Sequence, residues 1–392
     1  MNWLMFITVV GLSACSLPPR QRAVPQNLTD KAEVVDIPGV RYVVRGEMPD
    51  ALQEGIDSVK KEQAYLASNG QVDIHHLPPA NFLAISGGGD DGAFGAGLLN
   101  GWTKSGQRPD FKLVTGISTG ALLAPFAFLG SKYDEALRVF YTQTTPADIM
   151  EERGLLAAVW NDALADNTPL ANLVAKHVTA DMLKEIAAEY TKGRLLLIAT
   201  TNLDARQSVI WNMTKVAASG HPSSLELFQK IMVASAAIPG AFPPAMIDVD
   251  VNGKRYQEMH VDGGAQSQVF VYPPALKVNE QGAKQGFARD RRLYVIRNAR
   301  LDPSWTEVER RTLSIAGRAI SSLIEAQGVG DLYKIYSIAQ RDGVAYNLAY
   351  IPESFNAAHK EDFDSTYMQA LFQTGYNLAL GGYKWEKMPP GM

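Results

Sequence analysis

Short apolar runs along this chain alternate with longer stretches whose apolar residues recur every three or four positions. Residues 81–86 (Asn81, Phe82, Leu83, Ala84, Ile85, Ser86) form one such run, which has the pattern of a strand buried on both faces of a parallel sheet. Glycines and aspartates break it at 87–92. Residues 93–104 then place Phe94, Leu98 and Trp102 at helical spacing. A second strand is expected at 112–117 and a second helix at 121–129, kinked or shortened by Pro125. The alternation continues with strands expected at 194–200, 207–211, 256–261, 293–297 and 346–351. Helices are expected near 131–143, 168–178, 181–190, 223–236, 308–340 and 364–378. In the helix at 308–340, Leu313, Ile315, Ala319, Ile320, Leu323, Ile324, Tyr333, Tyr336 and Ile338 read as a core-facing stripe.

This pattern predicts a three-layer α/β/α fold with a mainly parallel central sheet, in one domain over 81–385. An extension at 31–80 precedes it, with a short strand at 40–45 and a helix at 49–68 on Leu52, Ile56, Val59, Tyr65 and Leu66.

Composition narrows the function classes. The 392 residues are 46% hydrophobic and 20% charged, which is ordinary globular usage. With 37 basic and 41 acidic residues, the net charge of −4 gives no electrostatic support for a nucleic-acid partner. The single cysteine, Cys15, excludes an intrachain disulfide and a multi-cysteine metal site. Histidines are scattered at 75, 76, 177, 221, 260 and 359 without ligand spacing, so no metal is expected.

Residues 3–12 are strongly apolar, too few to span a bilayer but of the length of a signal-peptide core. Leu12-Ser13-Ala14-Cys15 follows and resembles the lipobox of bacterial lipoproteins. The resemblance implies a signal peptide at 1–14 and a lipidated Cys15. With Ser16 next, it also implies a membrane-anchored protein of the outer membrane facing the periplasm. Residues 15–30 are polar and Pro-containing and read as a flexible tether.

Three motifs carry candidate chemistry. Gly116-Ile117-Ser118-Thr119-Gly120 matches G-x-S-x-G between an expected strand and an expected helix. In that context Ser118 is either an exposed nucleophile held on a sharp turn, beside the unpaired N–H groups of a helix N-terminus, or part of a plain tight turn. Gly87-Gly88-Gly89-Asp90-Asp91-Gly92 allows three readings. It is an anion nest able to serve as an oxyanion hole, a G-x-G-x-x-G dinucleotide cradle with Asp110 as the downstream acid, or plain strand–helix packing. Asp262-Gly263-Gly264 at the end of a strand is by itself only a turn.

A glycine-rich loop, then G-x-S-x-G, then a distant D-G-[GA] is the order found in patatin-like phospholipases, which this chain resembles over about 81–385. Residues 199–204 and 234–244, and Phe363, Asp364, Met368, Gly375 and Tyr376, are similar to further segments of that family. The resemblance implies Ser118 as nucleophile and Asp262 as its partner in a Ser–Asp dyad. It also implies Gly87, Gly88, Gly89 and Gly92 as the oxyanion loop, Gly116 and Gly120 flanking the elbow, and Gly263 and Gly264 completing the dyad motif. Asp91 stands where the family carries Arg or Lys, and an acid there opposes a developing oxyanion. The implied function is hydrolysis of phospholipid or lysophospholipid esters through an acyl-enzyme, without metal or organic cofactor. The rival readings are a lipid-binding lipoprotein with little or no activity and a dinucleotide-binding enzyme. His260 and His359 are the histidines placed to act in a triad, and both read more simply as structural.

Overall fold

The apolar run at 81–86 becomes strand β3 (Ala80–Ile85) of a ten-stranded sheet in the computed structural model, which describes residues 20–70, 73, 75–152, 162–303 and 305–392. In chain order the other strands of this sheet are β1 (Glu33–Val34), β2 (Arg41–Val43), β4 (Leu113–Gly116), β7 (Leu195–Asn202), β8 (Gln207–Asn212), β9 (Ala245–Val251), β10 (Lys254–Asp262), β11 (Arg291–Arg297) and β12 (Ala345–Tyr350). The short β5 (Glu151–Glu152) and β6 (Ala165–Asp166) pair with each other outside it.

The strands β7, β4, β3, β11 and β12 run parallel as neighbours, and this is the part of the sheet that carries the motifs. The rest is antiparallel: β8 returns along β7, β2 pairs β8, β9 and β10 form a hairpin, and β1 pairs β9. The sheet is therefore mixed. The hairpin turns at Asn252-Gly253, both at positive φ, with Val251 paired to Lys254. Asn-Gly is a strong signal for such a two-residue turn. It marks β9, a strand missing from the sequence expectation.

Two strands meet end to end on one edge of β7. β4 runs parallel to it and ends with Gly116 opposite Ile198, while β10 runs antiparallel and ends with Asp262 opposite Thr200. β8 occupies the other edge of β7 over the same residues. The turn after β4 and the turn after β10 thus face each other, and these turns carry Ser118 and Asp262.

Helices cover both faces. One face buries the helices Gly92–Lys104, Thr119–Leu129 and Ser224–Ser235 and packs the C-terminal helix Ser365–Leu380 against the first of them. The elbow helix continues through Pro125 to Leu129, because a proline removes only one helical N–H and the surrounding core holds the rest. The other face is covered by Pro49–Ser68 and by the C-terminal half of Thr312–Arg341, where Leu332, Ile335 and Ile338 are buried.

Two expectations change here. Residues 20–30, expected within a tether, lie on the sheet: Arg20 pairs with Asp204, the Arg22 carbonyl accepts from Gln257 N–H, and Val24 and Thr29 are buried. Cys15 and the signal segment fall outside the described residues. The stripe at 308–340 is also not core-facing throughout. Ile315, Ile320, Leu323 and Ile324 are exposed, because the body beneath the helix ends near Gln327. Among the described residues no helix is long and apolar enough to cross a membrane.

Candidate active site

The turn after β4 is tight enough to dictate its residues. Ser118 sits at φ 55°, ψ −126°, a backbone conformation unusual for a residue with a side chain and one that stores strain. A Cβ on Gly116 would overlap the Gly120 carbonyl, and one on Gly120 would overlap the Ile85 carbonyl. Only glycines let the strand, the turn and the elbow helix approach this closely. Ser118 N–H donates to Ser235 Oγ (3.0 Å), and Ser235 Oγ donates to the Ala199 carbonyl (2.7 Å). Ser235 therefore ties the elbow to β7, a role its place in the sequence did not signal.

Asp262 comes to the same point from β10. Its N–H donates to the Ala237 carbonyl, and its Oδ1 accepts from Gly264 N–H (2.7 Å). Burial pushes its carboxyl up to about 6, against hydrogen bonds from the Ser118 hydroxyl and the Gly264 N–H that pull it down. No cation contributes to that balance. A carboxylate in this state is ionised at neutral pH yet basic enough to take a proton.

The glycine-rich loop packs beside Ser118, and its four glycines differ. Gly87 N–H donates to the Gln268 carbonyl (3.0 Å), and Gly92 N–H closes the short turn over Gly89–Asp91. These two N–H groups are taken up in holding the loop. The N–H groups of Gly88 and Gly89 have no protein acceptor among the described residues. Gly88 adopts φ 154°, and a Cβ there would overlap the Asn298 carbonyl. Asn298 also clamps the loop: its N–H donates to Ser86 Oγ (2.8 Å), its Nδ2 to the Ser86 carbonyl (3.0 Å), and its Oδ1 accepts from Gly95 N–H (3.1 Å). Gln268 braces the other side, donating from Nε2 to the Gly264 carbonyl (2.8 Å) and from its N–H to Asp331 Oδ2 (2.7 Å). Asn298, Gln268 and Asp331 belong to no motif and could be found only in three dimensions.

Asp91 is turned away from the loop. Its carboxylate accepts from the Tyr367 hydroxyl (2.6 Å) of the C-terminal helix, and burial pushes it up to about 7 despite that bond. Asp90 accepts from His359 (2.7 Å) and from Phe363 N–H (2.9 Å). These aspartates fasten the loop to the C-terminal segment.

The histidines have other partners. His260 is fully buried, with Nδ1 against Thr200 Oγ1 (2.8 Å) and Nε2 against Glu258 (3.1 Å), and burial lowers its pKa. His359 stacks on Tyr367. Among the described residues no cluster of three or more His, Cys, Asp or Glu side chains is able to hold a metal. Asp110 precedes β4 and so lies at the opposite end of the sheet from the glycine loop, not where a dinucleotide's ribose would need it.

An apolar cleft opens on Ser118 and Gly89, lined by Leu122, Phe140, Leu170, Phe242 and Met368. A second apolar cavity, of about 170 Å³, lies under the helix Pro49–Ser68 and contains none of the motif residues.

Residues 83–274 match the family model described as patatin-like phospholipase. The match spans just under half of the chain and supports membership of the patatin-like phospholipase family. The matched region contains the glycine loop, the elbow and Asp262, and a place in that family supports lipid hydrolysis as the general function. No curated protein matches the chain. Among solved structures, the crystal structure of VipD from Legionella pneumophila aligns at 13% sequence identity and a TM-score of 0.31, covering 78% of this chain and 67% of that one.

Proposed function

We propose that this chain is a serine acyl hydrolase that cleaves ester bonds of phospholipids or lysophospholipids through Ser118 and Asp262. The observation that supports the reading is the end-to-end meeting of β4 and β10 on β7, with the strained Ser118 turn at the end of one strand and the buried Asp262 carboxyl, pushed up to about 6 by burial, at the end of the other. Asp262 takes the proton from Ser118 Oγ as the oxygen attacks the ester carbonyl. The N–H groups of Gly88 and Gly89 receive the tetrahedral oxyanion. As the intermediate collapses, the proton passes from Asp262 to the departing alcohol, leaving the acyl group on Ser118. Water, deprotonated by Asp262, then releases the fatty acid. The apolar cleft beside Ser118 suits an acyl chain. No step requires a metal or an organic cofactor. Release of fatty acid from phospholipid by the wild type, with none from a folded Ser118→Ala variant, tests this reading.

The apolar segment and Leu-Ser-Ala-Cys support a second element of the proposal, anchoring to the outer membrane through a lipidated Cys15 after removal of residues 1–14. Cys15→Ser should abolish metabolic labelling by a fatty-acid analogue. Labelling that persists would rule out acylation at that residue.

A further inference from the structure

The apolar stripe of the helix Pro49–Ser68 stands off the sheet. Leu52, Ile56 and Val59 are only half-buried, and among the described residues this helix supplies only Ala51 to the buried apolar core. Between the stripe and the sheet lies the cavity of about 170 Å³, with Phe82 of β3, Leu113 of β4 and Leu197 of β7 on its sheet side. It opens where these parallel strands enter the sheet, whereas the Ser118 turn follows the far end of β4. The cavity is therefore separate from the catalytic site.

The polar part of its wall is basic. Lys112 and Arg289 share a single carboxylate, Glu62, at 2.8 Å each. Glu54, an acid in the wall itself, pairs with Lys215 (2.6 Å). Arg291, the first residue of β11, is 8% exposed and has no carboxylate at ion-pairing distance among the described residues. Its Nη1 and Nη2 reach the Arg289 carbonyl at 3.5 Å and the Val278 carbonyl at 3.3 Å, both long for hydrogen bonds. Asp342 attracts Arg291 from beyond contact, but its carboxylate is already bonded by Arg341 (2.7 Å) and by the Tyr272 hydroxyl (2.9 Å). A Cβ on Gly282 would come within 2.8 Å of Arg291 Nη2, so this glycine makes room for the guanidinium at the cavity wall.

A buried charge without a contacting counter-charge is costly, and a guanidinium matches a carboxylate through two parallel N–H bonds. Aliphatic walls on two sides with such a group at the edge fit a molecule that has one hydrocarbon chain and one carboxylate. The volume is close to that of an apolar cavity of about 150 Å³ that takes benzene, so the enclosed part suits a chain of roughly six to eight carbons.

We infer that this cavity is a binding site for a fatty acid of medium chain length, with its carboxylate on Arg291 and its chain between the helix Pro49–Ser68 and the sheet. The inference does not depend on the hydrolase reading, because none of the residues it uses belongs to the catalytic site.

The test titrates the full-length protein with octanoate and with octanol by calorimetry. Octanoate should bind at least about tenfold more tightly than the alcohol. Arg291→Gln should weaken octanoate binding by roughly tenfold or more, and Arg291→Lys should restore part of that loss. Ile56→Phe with Val59→Phe fills the cavity from the half-buried helix side, leaves Arg291 in place and should abolish binding, with a thermal melt to show that each variant is folded. Photolysis of an octanoate carrying a diazirine at its chain end should label the helix Pro49–Ser68. Labelling confined to the cleft beside Ser118 would overturn the inference and leave the hydrolase reading standing. Equal affinity for octanol and octanoate, or undiminished binding by the folded double phenylalanine variant, would also overturn it. Octanoate binding that is lost in Arg291→Gln, in a protein without esterase activity, would keep the inference and remove the hydrolase reading.

Discussion

Two buried carboxylates lie four residues apart on the same face of β10 and have opposite fates. Glu258 is 1% exposed and faces Arg41 and His260, which together hold its pKa down at about 2 against the effect of burial. Asp262 is 5% exposed, has no cation, and is pushed up to about 6. The strand and the degree of burial are nearly the same, so the difference comes from partners. Around Glu258 each polar group is matched: Arg41 also donates to the Ala32 carbonyl, His260 bonds Thr200, and Trp211 Nε1 donates to Thr200 Oγ1. Around Asp262 a strained serine and two unpaired loop N–H groups remain. A satisfied network contributes stability, while an incompletely satisfied one retains the capacity to react.

The largest expected contrast is in turnover. Ser118→Ala and Asp262→Asn should each lower kcat/KM by ~10⁴ or more, with little further loss when combined, because the two residues act as one unit. Glu258→Gln should leave turnover of the folded protein within a few-fold but destabilise it by about 3–5 kcal/mol in denaturant titration, since it leaves the Arg41 guanidinium buried without a counter-charge. If Glu258→Gln abolishes turnover in folded protein, the division between the two carboxylates fails.

Gly88→Ala should reduce kcat by ~10²–10³ with a smaller change in KM, because the loop N–H groups act on charge that appears only in the transition state. The clash of the new Cβ with the Asn298 carbonyl adds a stability cost, which a thermal melt will separate from the kinetic effect.

Stability against pH should reveal opposite signs. The pKa of Glu258 is depressed from 4.5, so its contribution is fully present above about 4.5 and is lost as pH falls toward 2. That of Asp262 is raised from 3.8, so the fold disfavours its ionised form and loses stability as pH rises from about 4 to about 6. Asp262→Asn should therefore gain on the order of 2–3 kcal/mol at pH 8 and nothing at pH 3. The smallest effect belongs to Asp91→Asn, which keeps a partner for Tyr367 and should change kcat at pH 8 by less than about threefold.

Much of this arrangement is legible in the sequence, because the chemistry lies in short local patterns. Glycine at 116 and 120 is required by the turn itself, and a strand followed by Asp-Gly-Gly or by the glycine loop is local too. The end-to-end meeting of β4 and β10 on β7 has no local signature, since it depends on pairing between residues far apart in the chain, such as Asp262 with Thr200 and Gly116 with Ile198. Ser235, Gln268 and Asn298 act through hydrogen bonds that join separate segments of the chain, and these leave no spacing to read. The helix 312–341 shows the opposite failure. Its apolar stripe is real in the sequence, but periodicity says which face is apolar and not whether a core lies beneath it.

The most direct test follows the labelling of the serine by a fluorophosphonate as a function of pH in the wild type, Asp262→Asn and His359→Gln. The account predicts a single adduct on Ser118, formed at a rate that is half-maximal near pH 6. The rate should collapse in Asp262→Asn and stay unchanged in His359→Gln. An adduct on another residue, or wild-type labelling of Ser118 in folded Asp262→Asn, would contradict it.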